Sequence, residues 1–336
     1  MKHLVYLGNK LSTAGHTPTT IDTLSTLLSA EGFIVTTASK QTNKIVRLLD
    51  MLWTLLRYAK RTNYVLIDTY STQNFYYAYF CALFCQFLKL PYIPILHGGN
   101  LPKRLESHPK LSAALFNKAY INCAPSYYIK TAFERFGYTN VKYIPNSISL
   151  NFYPFKVREM NTINLLWVRS FSEIYNPKLA VGVLHGLLER GISATLCMVG
   201  PEVDGTLAQT QAYAKTLQVE VTFTGKLSKE EWIALSADYN VFVNTTNFDN
   251  MPVTVIEAMA LGLPLVSTNV GGLPYLIEHN VTGVLVSPND ADAFIEALLN
   301  LQKDTLHREK IVVNARAHAE TFDWDSIKAL WVATLN

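Results

Sequence analysis

Short apolar segments alternate with longer amphipathic segments along the amino-terminal half of the chain. The short segments are rich in β-branched and aromatic residues, which predicts strands, and the longer ones repeat apolar residues at helical spacing. Strands are predicted at residues 4–7, 33–37, 64–68, 92–96, 120–123 and 141–144, and helices at 21–30, 44–61, 75–88 and 126–136. Because strands that alternate with helices pair in parallel, this half is predicted to form a parallel sheet covered on both faces.

The alternation stops at residues 146–159, a stretch rich in turn-forming residues, and then starts again. Here strands are predicted at 163–168, 194–199, 221–224, 241–244 and 265–268, and helices at 178–190, 207–217 and 229–237, with a closing amphipathic helix at 322–336. Two such sets predict two doubly wound, Rossmann-like α/β domains, which bind ligands at the carboxyl ends of their strands. The domain boundary is predicted near residue 150.

The composition fits a two-domain globular protein. The chain has 336 residues, a length that exceeds what one ordinary core accommodates. Of these residues 49% are hydrophobic and 16% are charged, as in a globular protein. Its net charge of +3 is too small to indicate binding to nucleic acid, so no such partner is expected. The amino terminus lacks a signal-peptide layout, and the four cysteines lack the spacing of zinc ligands or disulfides. We therefore expect a cytoplasmic protein.

Candidate chemistry is concentrated between Asn244 and Asn289. Two acids, Asp249 and Glu257, stand at either end of a segment that enters an apolar helix. A buried strand follows, and a Gly271-Gly272 turn then opens a second helix. Helix amino termini present unpaired N–H groups and a positive dipole end, so this arrangement suits a diphosphate.

From Asp249 to Asn289 the sequence resembles, almost position by position, the donor-binding region of retaining glycosyltransferases of family 4. Shorter matches are IPNSIS at 144–149, LLWVRS at 165–170 and the histidine that ends a predicted strand, His97. The resemblance implies the GT-B fold, in which two Rossmann-like domains face a cleft and the carboxyl-terminal helix crosses back to the amino-terminal domain.

The resemblance also implies that the two domains bind different substrates. Residues 1–150, together with 321–336, would bind the acceptor, and residues 151–320 would bind a nucleotide-sugar donor. The expected partners are a UDP- or GDP-linked sugar and a glycan or glycolipid acceptor.

The family's donor motif has two acids separated by seven residues, and Asp249 and Glu257 occupy these positions. The resemblance assigns Asp249 to hydroxyls of the donor sugar, Glu257 to the ribose, Arg169 to the leaving diphosphate and His97 to the donor sugar. His97, Asp249 and Arg169 are therefore the candidate catalytic residues. The other candidate donor-binding residues are Asn250, Met251, Pro252, Gly271, Gly272, Gly8, Gly15, Gly200 and Gly225.

Each assignment competes with a purely structural interpretation. Asp249 could cap a helix, and Glu257 could pair with a surface cation. Arg169 could be a surface arginine at a strand end, and His97 could be held by local turn contacts alone.

The sequence departs from the family pattern at three positions. The first motif acid is the shorter aspartate, Asp249, and Tyr175 stands where the family has a lysine six residues after Arg169. Gly271, Gly272 and the helix near Leu273 are therefore expected to carry more of the diphosphate charge. Tyr275 stands where relatives have glutamate, and no role is assigned to it.

The expected function is transfer of a hexose to a hydroxyl acceptor, with retention of configuration, in polysaccharide or glycoconjugate biosynthesis. No cofactor or metal ion is expected, because the sequence has no DxD-like acidic pair and no His/Cys cluster. Two alternatives stay open: a sugar-nucleotide epimerase with the same fold, and a degenerate protein that binds nucleotide sugar or glycan without catalysis.

The segment Lys44 to Arg61 has two interpretations. Its basic residues flank a set of apolar ones, a layout that suits the anionic inner face of a membrane. The alternative is an ordinary outer helix with a solvated basic face. The basic residues are Lys44, Arg47, Arg57, Lys60 and Arg61, and the apolar ones are Leu48, Leu49, Leu52, Trp53, Leu55 and Leu56.

Overall fold

The computed structural model describes residues 1–11 and 19–336, which form two compact units. The amino-terminal unit comprises Met1–Pro145 and Ile327–Asn336, and the carboxyl-terminal unit comprises Asn146–Ser326. The sequence predicts these boundaries near residues 150 and 320.

The amino-terminal unit is built on a six-stranded parallel sheet with strand order β2-β1-β3-β4-β5-β6. Its strands are β1 His3–Leu7, β2 Ile34–Ala38, β3 Tyr64–Thr69, β4 Tyr92–Leu96, β5 Asn122–Ala124 and β6 Val141–Tyr143. Its helices are α1 Thr20–Ala30, α2 Lys44–Tyr58, α3 Phe75–Phe87, α4 Leu101–Ser107, α5 Pro109–Phe116 and α6 Tyr127–Arg135. The strand order reverses between β1 and β3, which is where doubly wound sheets open a ligand crevice.

The carboxyl-terminal unit has a second six-stranded parallel sheet, with strand order β12-β11-β10-β7-β8-β9. Its strands are β7 Ile163–Val168, β8 Ala194–Val199, β9 Thr222–Gly225, β10 Val241–Asn244, β11 Leu265–Thr268 and β12 Val284–Val286. Its helices are α7 Pro177–Glu189, α8 Thr206–Thr216, α9 Lys229–Leu235, α10 Val253–Ala260, α11 Leu273–Leu276, α12 Ala291–Lys303 and α13 Thr305–Glu320. Here the order reverses between β7 and β10.

The predicted fold class, two doubly wound α/β domains, is confirmed. In the second sheet, successive residues of one strand pack on opposite faces. Leu166 and Phe242 contribute to one apolar core, and Leu165, Val241 and Val243 contribute to the other. Both faces of this sheet are therefore covered, as a parallel sheet requires.

The last helix, α14 (Trp324–Leu335), begins in the carboxyl-terminal unit and continues into the amino-terminal unit. Its end is anchored there by polar contacts. Lys142 Nζ donates to Thr334 Oγ1 at 2.7 Å, and Lys2 Nζ donates to the carbonyl of Leu335 at 2.8 Å. The carboxyl-terminal helix thus returns to the first unit, as expected.

Several observed helices lie where no helix was predicted. The short helices α4 and α5 begin with a proline in their first turn, a signal that also suits a loop. In α13 a buried arginine, Arg308, lies among the apolar residues, which obscures the periodic pattern.

Candidate functional site

Arg169 stands directly after β7, at the point where the strand order of the carboxyl-terminal sheet reverses. Its backbone is packed against Gly200, where an added Cβ would lie 1.7 Å from the Arg169 carbonyl oxygen. Gly200 in turn donates its N–H to the carbonyl of Gly225 at 2.8 Å. Gly200 and Gly225 remain predicted donor-binding residues. In the structure Gly200 also supports the backbone that carries Arg169, and Gly225 supports Gly200.

The Arg169 side chain is nearly buried, and it contacts the Asp249 carboxylate through Nη2. The ring of Tyr175 lies with its centroid 4.7 Å from the guanidinium carbon. Burial lowers the pKa of Arg169, while Tyr175 and Glu257 act in the opposite direction, and a guanidinium stays protonated at neutral pH. Its Nε–H is buried and has no hydrogen-bond acceptor among the described residues. Arg169 therefore retains a donor that an incoming anion could satisfy.

Asp249 lies in the loop after β10, and a glycine pair fixes the loop's backbone. Gly272 donates its N–H to the Asp249 carbonyl at 2.9 Å, and Gly271 has a φ of +54°. A Cβ on Gly271 would lie 2.2 Å from the Asp249 carbonyl oxygen, and one on Gly272 would lie 1.8 Å from that of Asn250. Side chains larger than hydrogen are excluded at both positions.

This arrangement differs from the expected anion site at Gly271, Gly272 and Leu273. The N–H of Gly272 is already bonded to Asp249, and α11 has only four residues. A helix of one turn has little macrodipole, since the dipole arises from several aligned peptide units. The glycine pair thus positions Asp249, and the main positive charge beside that acid is Arg169.

Asn250, Met251 and Pro252 shape the turn between the two acids. The Asn250 N–H donates to Asp249 Oδ1 at 2.8 Å, and Asn146 Nδ2 donates to the Met251 carbonyl at 3.0 Å. Pro252 immediately precedes α10, the helix that carries Glu257. All three remain predicted donor-binding residues, and their contacts within the unit fix the path from Asp249 to α10.

Glu257 is buried, with 2% of its surface exposed. Its Oε1 accepts a hydrogen bond from the Tyr153 hydroxyl at 2.7 Å and also contacts Lys229 Nζ. Burial, together with the neighbouring Glu257 carboxylate, raises the pKa of Tyr153 well above its ordinary value, so the hydroxyl stays a donor. Because Glu257 is buried and one of its oxygens contacts two donors, the interpretation of Glu257 as one partner of a surface ion pair does not fit.

Sequence reasoning missed both partners of Glu257. Tyr153 lies in the aperiodic stretch before β7, and Lys229 is the first residue of α9. The only available signal for Lys229 was a cation shortly after the carboxyl end of a predicted strand.

In the amino-terminal unit, His97 follows β4 directly, and its Nε2 is hydrogen-bonded to Asp68 Oδ1 at 2.8 Å. The same oxygen accepts from the Tyr6 hydroxyl at 2.8 Å. Gly8 follows β1, and a Cβ there would lie 2.4 Å from Asp68 Oδ2. Thus Gly8 and His97 meet around a buried acid that the sequence analysis did not single out. The other predicted loop glycine, Gly15, lies outside the described residues.

Two features are absent from the described part of the chain, residues 1–11 and 19–336. No group of three or more His, Cys, Asp or Glu side chains there is arranged to hold a metal ion. No helix in the same residues is both long enough and apolar enough to span a bilayer.

Comparison with known proteins relates the carboxyl-terminal unit to a family. A family model described as "Glycosyl transferases group 1" matches residues 152–318. The amylovoran biosynthesis glycosyltransferase AmsK of Erwinia amylovora is 44% identical over 75 residues, which are 22% of this chain and 18% of that protein. The sulfoquinovosyl transferase SQD2 of Arabidopsis thaliana is 35% identical over 105 residues, 30% of this chain and 21% of that protein. The chain thus matches about a fifth of the length of these relatives.

Solved structures match over the full chain. The Anabaena protein Alr3699/HepE in complex with UDP and glucose superposes with a TM-score of 0.78 at 19% identity, covering 100% of this chain and 99% of that one. Sucrose-phosphate synthase from Thermosynechococcus elongatus gives a TM-score of 0.81 at 17% identity, covering 100% and 98%. These matches establish the GT-B fold. Residues 152–318, about half of the chain, are thus similar to the glycosyl transferases group 1.

Proposed function

We propose that the protein is a retaining glycosyltransferase that moves a hexose from a UDP- or GDP-linked sugar to a hydroxyl of a glycan, lipid-linked sugar or similar acceptor. The observation that carries the proposal is the Arg169–Asp249 contact at the strand-order reversal of the carboxyl-terminal sheet. The reversal point is where doubly wound sheets bind ligands, and a guanidinium with an unsatisfied buried donor suits a diphosphate there.

The proposed reaction breaks the bond between the anomeric carbon and the diphosphate, and it joins that carbon to the acceptor oxygen on the same face. A nucleoside diphosphate and one proton are released. Arg169 stabilises the charge that develops on the leaving diphosphate. Asp249 accepts hydrogen bonds from hydroxyls of the donor sugar, and Glu257 accepts them from the ribose. His97 is assigned to a sugar hydroxyl.

Two kinds of relatives support this assignment. AmsK is named for amylovoran biosynthesis, and SQD2 for sulfoquinovosyl transfer, so both names describe sugar transfer. The Anabaena structures contain UDP with glucose and, in another crystal, UDP-glucose. We therefore propose a role in polysaccharide or glycoconjugate biosynthesis.

Donor binding and turnover test the proposal. We expect UDP or GDP to raise the melting temperature, since a ligand that binds only the folded state stabilises it. We also expect one matching nucleotide sugar to release its nucleoside diphosphate, slowly in water and faster with an acceptor. Binding without any release would favour the non-catalytic alternative, and epimerised nucleotide sugar would favour the epimerase. If the protein binds neither UDP nor GDP, both the transferase and the epimerase are refuted, and a glycan-binding protein without catalysis is favoured.

Turnover is proposed to need no divalent cation, because Arg169 supplies positive charge at the leaving group. The release assay in excess EDTA should therefore retain its full rate. A strict requirement for added magnesium or manganese would contradict this part of the proposal.

We also propose that α2 contacts an anionic lipid surface. Its apolar residues Ile45, Leu49, Trp53 and Leu56 follow one face at helical spacing and are 73%, 60%, 61% and 51% exposed. Exposed apolar stripes of this kind mark interaction surfaces, and the basic residues beside it favour anionic lipid over other partners. The exposed basic residues are Lys44, Arg57, Lys60 and Arg61.

One predicted member of the basic set does not contribute to this surface. Arg47 is buried, and its guanidinium donates to the carbonyl of Gln41 at 2.7 Å and to Asn9 Oδ1 at 2.9 Å. Its role is to tie α2 to neighbouring loops.

Sedimentation with phosphatidylglycerol vesicles tests the membrane proposal. We expect binding that weakens with salt and falls about a hundredfold when Arg57, Lys60 and Arg61 become glutamine, at about 1 kcal/mol for each charge. The variant Trp53→Ser should also bind less, because it removes exposed apolar area.

The matched control replaces three exposed basic residues elsewhere in the same unit, Lys110, Lys118 and Arg135, by glutamine. It should bind the vesicles like the wild type. Equal binding by the wild type and the α2 charge variant would end the membrane proposal.

A further inference from the structure

Both acids of the donor site are paired with a cation in the carboxyl-terminal unit. Asp249 contacts Arg169, and Glu257 contacts Lys229. The second pair is asymmetric, because the Glu257 side chain is 3% exposed whereas that of Lys229 is 45% exposed. Lys229 thus reaches from the surface to a buried carboxylate.

The family has a lysine six residues after Arg169, but in this chain the residue at that position is uncharged. Tyr175 is found there, and its ring covers the Arg169 guanidinium at 4.7 Å. A nucleoside diphosphate carries more than one negative charge, which a single arginine does not neutralise. The site therefore needs positive charge from another element.

We propose that Lys229 is the second cation for the diphosphate, held on Glu257 until the ribose hydroxyls of the nucleotide take its place there. The inference rests on the proposed function, since it assumes a nucleotide donor. When the ribose donates to Glu257, the lysine ammonium is released and turns to a phosphate oxygen. A lysine suits this transfer because its ammonium is a point charge on a flexible stem.

The contacts of Glu257 fit such an exchange. Its Oε1 accepts from the Tyr153 hydroxyl at 2.7 Å, so the carboxylate stays oriented when the lysine leaves. Lys229 is nearly half exposed, and it gives up little buried contact by moving.

The location of Lys229 also fits. It begins α9, which follows β9, so it lies at the same carboxyl edge of the parallel sheet as Arg169 after β7. Burial lowers the pKa of Arg169, and the negative charge of Glu257 acts against this by favouring the charged guanidinium. The charge of Arg169 thus interacts with the Lys229–Glu257 pair.

Comparing nucleotides with nucleosides tests the inference. We expect Lys229→Met to weaken binding of UDP or GDP about tenfold or more, the usual loss for one charge-assisted contact. Uridine or guanosine, which lacks phosphate, should bind as well as to the wild type or more tightly, because Glu257 no longer has to release a lysine. Ligand-observed NMR and calorimetry measure both affinities.

Two further variants complete the experiment. Lys229→Arg should restore most of the diphosphate affinity, because it retains the charge. Lys215→Met, at an exposed position of α8, should leave both affinities unchanged.

Equal weakening of nucleoside and diphosphate would overturn the inference, since Lys229 would then serve only to orient Glu257. Unchanged binding of both ligands would overturn it as well. If the wild type binds neither UDP nor GDP, the proposed function itself fails. If the wild type binds a diphosphate and Lys229→Met shows no selective loss, only the role of Lys229 fails.

Discussion

Replacing Arg169 by glutamine is expected to lower the rate of sugar transfer about 100- to 1,000-fold, the range for removal of one preorganised group that stabilises developing charge. Arg169 is the cation in contact with Asp249, and its buried Nε–H has no acceptor among the described residues. Glutamine still has hydrogen-bond donors, but it lacks the positive charge of arginine and the planar arrangement of the guanidinium N–H groups. Steady-state kinetics with the matching nucleotide sugar measure the effect.

The loss should appear mainly in kcat, because charge on the leaving diphosphate is largest in the transition state. Arg190→Gln is the matched control, since Arg190 is 37% exposed and pairs with Asp292 and Glu296 at the surface. That variant should transfer sugar like the wild type. A similar kcat for Arg169→Gln and the wild type would remove Arg169 from the leaving-group role.

Replacing Gly272 by alanine is expected to abolish most activity and to destabilise the carboxyl-terminal unit by about 1–3 kcal/mol, as overpacking typically does. The new Cβ would lie 1.8 Å from the Asn250 carbonyl oxygen, which is backbone and cannot rotate away. The loop would have to shift, and with it the bond from the Gly272 N–H to Asp249. Displacing a catalytic group by about 1 Å can cost about 100-fold in rate.

Thermal unfolding and transfer assays measure this prediction together. The control is Gly182→Ala in α7, where the nearest atom to the added Cβ is 3.8 Å away. Alanine favours a helix interior over glycine by roughly 0.5–1 kcal/mol, so this variant should be at least as stable as the wild type and fully active. Normal activity of Gly272→Ala would mean that the glycine pair does not position Asp249.

The sequence alone determined the fold class and the two strand ends that carry the candidate chemistry. Parallel strands buried on both faces are continuous apolar runs, and these are visible without any long-range information. The position of Arg169 after one such run and the seven-residue spacing of Asp249 and Glu257 are local properties, and so they could be read directly.

The role of the glycine pair required the tertiary structure. Gly271 and Gly272 look like the start of an anion-binding helix in sequence, but α11 is one turn long and the Gly272 N–H binds Asp249. Whether an N–H group faces a ligand or another loop depends on which segments meet, and spacing along the chain does not encode this. Gly200, which supports Arg169 from a different strand end, is a similar case.

The charge partners were also decided only by tertiary structure. Tyr153 and Lys229 meet Glu257 from positions 104 and 28 residues away, and Asp68 meets His97 from 29 residues away. The contacts of Lys229, Asp68 and His97 arise because a parallel sheet gathers the carboxyl ends of distant strands at one edge. Tyr153 instead reaches Glu257 from the stretch before β7. Local motifs and the family resemblance they carry therefore identified the acids and the arginine, whereas the folded chain determined which cation accompanies each acid.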